Sequence, residues 1–357
     1  MANENINPDW QDEIEEDDEQ DEKKIALELT VDAGQEATRI DKFIMMRMVG
    51  VTRTKVQDAI EKEMVLVNDN AVKANYKVRP LDHIIVYSSK PTHSNEIIPE
   101  DIALDIVYED EDVLVINKPY NMVVHPGHGN WTGTVLNAVA FHFQKNNLNA
   151  ALPPRLGMVH RIDKDTSGLL VLGKTEQACS HLGKQFFDHT VKRLYNALVW
   201  GDVEDEQGTI DTYIARHERE RKIFTVYDAS DEKGKHAITH YKILERFNYV
   251  TLIECRLETG RTHQIRVHMK HLKHTLFNDK MYGGDKILKG TVYAKYKQFV
   301  DNCFTILPRQ ALHAKTLGFI HPTTQKEMLF EVPLAKDMEL VIEKWRTYVK
   351  AKKILEE

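Results

Sequence analysis

The segment from Val159 to Lys174 carries a carboxylate, a guanidinium and hydroxyls in a polar turn that runs into an apolar strand. Asp163 lies two residues after Arg161 and just before the Thr166–Gly168 turn. A buried strand would hold this turn at one edge of a sheet, where an acid, a base and hydroxyls could perform proton transfer or nucleophilic attack. Taken alone, an Arg-x-Asp pair is more often a surface ion pair that caps a turn.

Two other kinds of site share part of this pattern but fail on spacing. A calcium loop would begin at Asp163 and place Gly168 correctly, but its twelfth position needs a bidentate Glu and holds Lys174. A kinase catalytic loop does not fit, because His160–Asp163 has the wrong order and the sequence has neither a glycine-rich nucleotide loop nor an Asp-Phe-Gly triplet.

The segment resembles the second motif of the RluA-type family of RNA pseudouridine synthases. Five further blocks of that family appear in this sequence in the family's order. These blocks are Tyr108–Pro119, Val124–Gly127, Lys192–Val199, Thr259–His268 and Arg309–Ala314. The resemblance spans residues 101–335. The segment before it resembles an S4 RNA-binding domain, an arrangement seen in family members that act on ribosomal large-subunit RNA.

The resemblance implies a catalytic site of four residues. Asp163 matches the catalytic aspartate, and Arg266 matches the basic residue of the third motif. Tyr195 matches the tyrosine that stacks on the flipped base, and Arg161 resembles the arginine that fills the gap in the RNA. The same motifs supply the supporting residues His160, Thr166, Ser167, Gly168, Arg261, His263 and Gln264.

The implied reaction explains why a carboxylate is needed. Converting uridine to its C-glycoside isomer breaks the bond from C1′ to N1, turns the uracil and joins C5 to the same sugar carbon. A carboxylate near the sugar can attack C1′ or remove a sugar proton, and the sequence leaves both roles open for Asp163. An ionised, partly dehydrated acid needs a positive partner that holds its pKa down, and Arg266 fits this task. No step requires a metal or another cofactor, so we expect none.

The apolar spacing of Ile40, Phe43, Ile44 and Met48 predicts a helix, and a second helix is predicted from Thr54, whose spacing to Gln57 fits a capping box. Three strands follow in residues 64–87. Charges on a helix face are usually only solvated, but the resemblance to the S4 pattern makes them candidate phosphate contacts. These RNA-binding candidates are Arg39, Lys42, Arg53, Lys55 and Lys62.

The apolar periodicity and the polar segments of the sequence predict an α+β protein that is divided into four regions. We expect an acidic disordered tail over residues 1–25, an S4-like domain over 26–88, a linker over 89–100 and a catalytic domain over 101–357. The catalytic domain should contain a mixed, mainly antiparallel sheet with helices near residues 135–143, 178–186 and 336–354.

The formal net charge of −7 is unevenly distributed. Residues 1–24 hold eleven acidic and two basic side chains, while the remaining residues hold 46 basic and 44 acidic ones. The tail therefore has little to bury, and solubility is its simplest role, with competition against RNA as the alternative. Three dispersed cysteines, an acidic N-terminus and the lack of a long apolar run predict a cytoplasmic protein that does not bind a membrane. The resemblance implies RNA as its partner, and we expect a monomer.

Four histidines lie close together in the sequence at positions 263, 268, 271 and 274, but their spacing offers no familiar set of metal ligands. Nearby, Asn278 stands where the family usually has glycine, and asparagine tolerates the left-handed backbone that such a turn requires. Two alternative functions stay open. A glycoside hydrolase would need a second carboxylate that no motif supplies, and a non-catalytic RNA-binding or assembly protein would keep the fold without the chemistry.

Overall fold

A computed structural model describes residues 24–48, 51–88, 97–127, 129–145, 154–220 and 222–356. These residues fall into two compact units, 24–88 and 97–356. Residues 1–23 of the predicted tail and residues 89–96 of the predicted linker lie outside the described part. The first strand begins at Lys24, slightly before the predicted start of the S4-like domain.

The first unit packs two helices against a small antiparallel sheet. Its elements are β1 (Lys24–Thr30), α1 (Ile40–Met45), α2 (Arg53–Glu61), β2 (Val65–Val67), β3 (Asn70–Ala71) and β4 (His83–Ser88), and the strand order is β1-β4-β2-β3. Ile40, Phe43 and Ile44 are buried in the core as their spacing predicts. The predicted capping box at Thr54 is wrong, because α2 begins at Arg53 and the Thr52 side chain accepts from Lys55 N. The Gln57 side chain instead donates to Asp41.

The second unit contains a ten-stranded sheet. Its strands are β5 (Ile106–Glu109), β6 (Val113–Lys118), β7 (Ser167–Gly173), β8 (Lys192–Trp200), β9 (Gln207–Arg216), β10 (Phe224–Tyr227), β11 (Lys235–Arg246), β12 (Val250–Leu257), β13 (Leu312–Ile320) and β14 (Glu327–Glu331). The order is β10-β9-β11-β12-β8-β13-β7-β6-β5, with β14 paired to β13. Among the described strands only β7 and β13 pair in parallel, so the predicted mixed, mainly antiparallel α+β fold is confirmed.

Five α-helices accompany this sheet: α3 (Val135–Lys145), α4 (Glu176–Phe187), α5 (Gln264–His271), α6 (Ala294–Ile306) and α7 (Lys336–Glu356), with short 3-10 turns at Pro154–Gly157 and Ala229–Asp231. The predicted helices near residues 135, 178 and 336 are present. A large aromatic core joins Trp200 of β8 and Phe277 to Trp345 of α7. None of the helices in the described ranges is long and apolar enough to cross a membrane.

The parallel pairing of β7 with β13 fixes the turn that follows Asp163. Every residue of β7 is buried, and His313 and Ala314 pair with Ser167 and Gly168. Gly168 has a φ of 113°, and a Cβ there would lie 2.2 Å from the Ala314 carbonyl oxygen. Only glycine permits this approach, so the turn is held against β13 by a backbone contact that a side chain would block.

Candidate active site

Asp163 and Arg266 form an ion pair although they are 103 positions apart in the sequence. Asp163 lies in the turn before β7, and its carbonyl accepts from Thr166 N at 3.0 Å. Arg266 lies in the first turn of α5, and its Nη1 donates to Asp163 Oδ2 at 2.9 Å. The Asp163 side chain is 22% exposed, whereas that of Arg266 is 6% exposed, so the acid is reachable and the base is not. The contact expected from the sequence is therefore present.

A second carboxylate, which the sequence interpretation missed, holds the other side of Arg266. Arg266 Nε and Nη2 donate to the two oxygens of Asp279 at 2.7 and 2.9 Å, and Asp279 is fully buried. Asn278 has a φ of 57°, so the tolerance of asparagine for left-handed backbone is used at this turn as predicted. A signal was present in the sequence, because the family's usual Gly-Asp pair appears here as Asn278–Asp279. Hydropathy patterns, however, do not identify buried acids.

Charges around Asp163 favour its ionised form. Burial alone would raise the pKa of this carboxyl, but His263, Arg266 and Arg161 together hold the pKa below its usual value. Burial lowers the pKa of His263 to about 4, so this ring is neutral at pH 7. Because His263 is neutral, the Arg266 guanidinium, which donates a hydrogen bond to Asp163, is the charge that keeps Asp163 ionised at neutral pH.

His263 contributes a fixed dipole beside the acid. It is the N-cap of α5 with a φ of 57°, and its Nδ1 lies 2.9 Å from the Tyr282 hydroxyl. That hydroxyl accepts from Phe224 N, so its own hydrogen can be donated to Nδ1. The neutral ring then carries its hydrogen on Nε2, which lies 4.0 Å from Asp163 Oδ1.

The structure places Tyr195 in the same hydrophobic group as Ile162 and Ile265, the neighbours of Asp163 and Arg266 in the sequence. Tyr195 is 8% exposed in β8. Burial raises its pKa, the Arg193 charge opposes this, and the Asp163 charge adds to it, so the phenol stays protonated. Arg161 is exposed, and its charge lowers the pKa of Asp163.

The supporting residues of the second motif are buried and form hydrogen bonds with neighbouring strands and loops. His160 Nε2 accepts from Val171 N at 3.0 Å, and burial lowers its pKa to about 3, so the ring is neutral. Thr166 and Ser167 are buried. The Ser167 hydroxyl accepts from Arg309 and can donate to His313 Nδ1 at 2.9 Å. The Ser167 hydroxyl is therefore engaged by Arg309 and His313 instead of being presented with Asp163, and the Thr166 hydroxyl accepts from Gln310 Nε2 at 3.4 Å.

Gln264 and Arg261 tie the start of α5 to β11. The Gln264 Oε1 accepts from Thr259 Oγ1 at 2.7 Å and from Arg261 N at 2.9 Å, and its Nε2 donates to the Ile238 carbonyl. Arg261 Nε donates to the His236 carbonyl at 3.0 Å. These bonds fix the helix that carries Arg266.

Lys118 is a further buried group that the sequence interpretation did not single out. Its Nζ donates to the carbonyls of Pro119, Met122 and Lys164 at 2.8, 2.7 and 3.0 Å. Burial lowers its pKa to about 7, but three carbonyl acceptors require three hydrogens, which only the ammonium supplies. Lys118 therefore ties the loop after β6 to the residue that follows Asp163.

The clustered histidines do not converge on one point. His268 is buried between the hydroxyls of Thr239 and Thr212, at 2.9 and 3.0 Å, whereas His274 Nδ1 bonds the Trp200 carbonyl. Within the described residues, potential ligand atoms do converge at Asp110, Asp112 and His321. There His321 Nε2 bonds Asp110 at 2.9 Å and Nδ1 accepts from Thr324 N, so both ring nitrogens already have protein partners.

In the first unit, a buried carboxylate joins the two helices. Asp41 is fully buried and accepts from Arg39, Arg53 and Gln57. Burial would raise the pKa of Asp41, but these hydrogen bonds outweigh it and hold the pKa far below its usual value. Two of the five RNA-binding candidates therefore share one buried acid. The other three, Lys42, Lys55 and Lys62, are exposed.

Comparison with known proteins identifies the class to which this fold and site belong. A family model described as RNA pseudouridylate synthase matches residues 112–271, and an S4 domain model matches residues 38–84. The chain belongs to the RNA pseudouridine synthase family and is an isomerase that acts on RNA.

Several relatives are similar over nearly their whole length. An RNA pseudouridine synthase of Chlorobaculum parvum is 44% identical over 91% of this chain and 99% of that protein. The ribosomal large subunit pseudouridine synthase D of Escherichia coli (strain K12) is 39% identical over 91% of this chain and 95% of that protein. The solved structure of human RNA pseudouridylate synthase domain containing 4 shares the fold, with a TM-score of 0.52 and 21% identity over 68% of this chain and 92% of that chain.

Proposed function

We propose that this protein converts specific uridines of large-subunit ribosomal RNA to pseudouridine, with Asp163 as the catalytic carboxylate. The observation that carries the proposal is the 2.9 Å bond from Arg266 to a partly exposed Asp163. A buried guanidinium keeps the acid ionised and leaves one carboxylate oxygen, Oδ1, for the sugar. Relatives named ribosomal large subunit pseudouridine synthase D support the choice of RNA.

The ionised acid serves either form of the reaction. As a nucleophile, Asp163 attacks C1′ while N1 of the uracil leaves with the bonding electrons. The freed base turns, and the bond from Asp163 to C1′ breaks as C5 bonds to the same carbon. As a general base, it removes a sugar proton as the same bond from C1′ to N1 breaks, and it returns that proton to the sugar when C5 bonds to C1′. In both forms C5 loses its hydrogen at the end, and the uracil is retained.

Access to Asp163 requires the nucleotide to leave the RNA stack. Asp163 is only partly exposed and Tyr195 is buried, so a stacked uridine cannot reach them. We infer that Tyr195 packs against the flipped base and that the exposed Arg161 fills the gap left in the RNA. Stacking and charge then offset the cost of flipping, which is about a few kcal/mol.

The remaining assignments follow the same proposal. Residues 26–88 serve as the RNA-binding domain, with Arg39, Lys42, Arg53, Lys55 and Lys62 facing phosphates, and residues 101–357 serve as the catalytic domain. The protein acts as a cytoplasmic monomer without metal or cofactor. A hydrolase is disfavoured, because the second carboxylate, Asp279, is fully buried and bonded to Arg266 on both oxygens.

The test is a map of pseudouridine at single-nucleotide resolution in cells with the gene, without it, and without it but supplied with the Asp163→Asn variant. We expect a small number of uridines in large-subunit ribosomal RNA to lose the modification in the last two strains. Loss confined to transfer RNA would contradict the choice of substrate. Restoration by Asp163→Asn would show that the protein acts without this carboxylate, as an assembly factor would.

A further inference from the structure

Arg193 is a buried cation without an anionic partner. It lies in β8 two residues before Tyr195 and is 7% exposed. Its Nη2 donates to the Glu258 carbonyl at 2.8 Å, while its Nε is buried without a hydrogen-bond partner. In the part of the chain that the structure describes, no carboxylate pairs with it. A buried unpaired charge is costly, and proteins retain one where a bound group supplies the opposite charge.

The neighbours of Arg193 supply no negative charge. Its guanidinium lies 5.7 Å from the Phe186 ring centre, and His160, stacked on the same ring, is neutral. The other nearby charge is Arg261, which is also positive. Two like charges beside each other attract an anion more strongly than either does alone.

A glycine lets the Arg193 guanidinium lie directly against the backbone of residue 260. A Cβ at Gly260 would lie 2.6 Å from Arg193 Nη1, so no larger residue fits without moving the arginine. Gly260 precedes Arg261 in the loop that leads to α5. Side chains two apart on a strand share a face, so Arg193 and Tyr195 lie on the same side of β8.

We propose that Arg193, with Arg261, binds a backbone phosphodiester of the RNA next to the nucleotide held at Asp163 and Tyr195. The inference rests on the proposed function and names the part of the substrate that this position recognises. A phosphodiester supplies the missing negative charge, and it accompanies any nucleotide that enters the site. Arginine forms strong, directional hydrogen bonds with phosphate oxygens, which suits a contact that positions the strand.

The test uses the full-length protein and a synthetic stem-loop that contains the uridine mapped in cells. We would measure RNA affinity, single-turnover rate and melting temperature for wild type, Arg193→Met and Arg193→Lys. Methionine keeps an apolar stem over Phe186 and removes the charge. We expect Arg193→Met to bind the stem-loop about 10- to 100-fold more weakly, with a melting temperature equal to or above that of wild type. Arg193→Lys should recover part of the affinity.

Neutral methylphosphonates placed one at a time along the stem-loop identify the phosphate. At one position, the methylphosphonate should weaken binding to wild type by about the same factor as Arg193→Met does. It should weaken binding to Arg193→Met by less than about twofold, because the methylphosphonate and the substitution remove the same contact. Lys192→Met is the matched control, since Lys192 precedes Arg193 but is exposed. It should bind within about threefold of wild type and show no such coupling.

Four outcomes would overturn the inference. A lower melting temperature for Arg193→Met without coupling to any phosphate would make Arg193 a packing residue. Inorganic phosphate that binds wild type but not Arg193→Met, again without coupling, would make the position a free-anion site. A stem-loop that wild type does not modify would contradict the proposed function, whereas equal RNA affinity of wild type and Arg193→Met, with normal modification by both, would contradict only the role of Arg193.

Discussion

Arg266 places one guanidinium between two carboxylates, and each carboxylate uses different nitrogen atoms. Nε and Nη2 donate to the buried Asp279, and Nη1 donates to the partly exposed Asp163. The bidentate contact with Asp279 fixes the plane of the guanidinium, because a planar fork and a carboxylate match in only one orientation. Asp279 therefore positions the charge that Asp163 requires, and it does so from a place that substrate does not reach.

The first prediction concerns Asp163. Asp163→Asn should lower the rate of isomerisation at least about 100-fold and leave RNA affinity within about threefold, because it removes an ionisable oxygen and no phosphate contact. Product formation and filter binding on the same RNA would measure the two effects. Activity above about one hundredth of wild type would contradict the assignment.

The second prediction concerns Arg266. Arg266→Met should move the acidic limb of the rate profile to higher pH, because losing a nearby positive charge raises the pKa of Asp163. The same change leaves Asp279 buried without its partner, which should destabilise the protein by about 3–5 kcal/mol. Adding Asp279→Asn should recover part of the stability but not the rate.

Thermal melting and pH profiles of the single and double variants separate these effects. If Arg266→Met keeps the wild-type profile and rate but loses RNA affinity, Arg266 is a phosphate contact and does not tune Asp163. If the double variant regains the wild-type rate, the loss in the single variant came from destabilisation alone.

The sequence predicted the Asp163–Arg266 contact but not the acid behind it. The prediction was possible because both residues stand in recognised motifs whose chemistry requires an ion pair. Asp279 and Lys118 were missed because their partners are set by tertiary folding: a guanidinium 13 positions earlier in one case and three backbone carbonyls in the other. Such buried polar contacts leave no trace in apolar periodicity.

At the scale of elements, apolar runs identified most strands around the site, but not their order. Apolar runs predict strands over residues 106–108, 113–116, 193–200, 237–245, 250–258 and 311–320, and strands β5, β6, β8, β11, β12 and β13 lie close to these ranges. Strands β1, β9, β10 and β14 and helices α5 and α6 were not predicted. In β9 and β14 buried or partly buried residues alternate with exposed ones over short stretches, which gives a weaker signal than the fully buried β7.

The pair of helices in the first unit gives the third prediction. Arg39 and Arg53 share the buried Asp41, so part of their charge is already neutralised, whereas Lys42, Lys55 and Lys62 are exposed. Replacing these three lysines with glutamine should therefore reduce the slope of log affinity against log salt by up to about three.

Binding across a range of salt concentrations measures that slope. Lys73→Gln, in the loop after β3, is the matched control, because it removes the same charge from an exposed position outside the helices. A triple variant with the wild-type slope would show that these helix lysines do not contact phosphates.

For the whole molecule, the net charge of −7 hides two regions of opposite character. The eleven acids of residues 1–24 outweigh its two lysines, while the rest of the chain carries a small excess of basic residues. A nucleic-acid-binding surface needs local positive charge and not a positive total. The acidic segment is therefore compatible with an RNA-modifying enzyme.

The fourth prediction tests what the acidic segment does. Deleting residues 2–22 leaves 48 basic and 44 acidic side chains and changes the net charge to +4. If solubility is its role, affinity for the stem-loop at 0.15 M salt should stay within about twofold, since charges beyond about 8 Å are screened there. The soluble concentration limit should fall, because acidic side chains contribute most to solubility.

A variant that keeps the length but replaces the eleven acids with Asn and Gln separates charge from chain length. If both variants instead bind RNA more tightly, and increasingly so as salt is lowered, the segment competes with RNA for the basic surface.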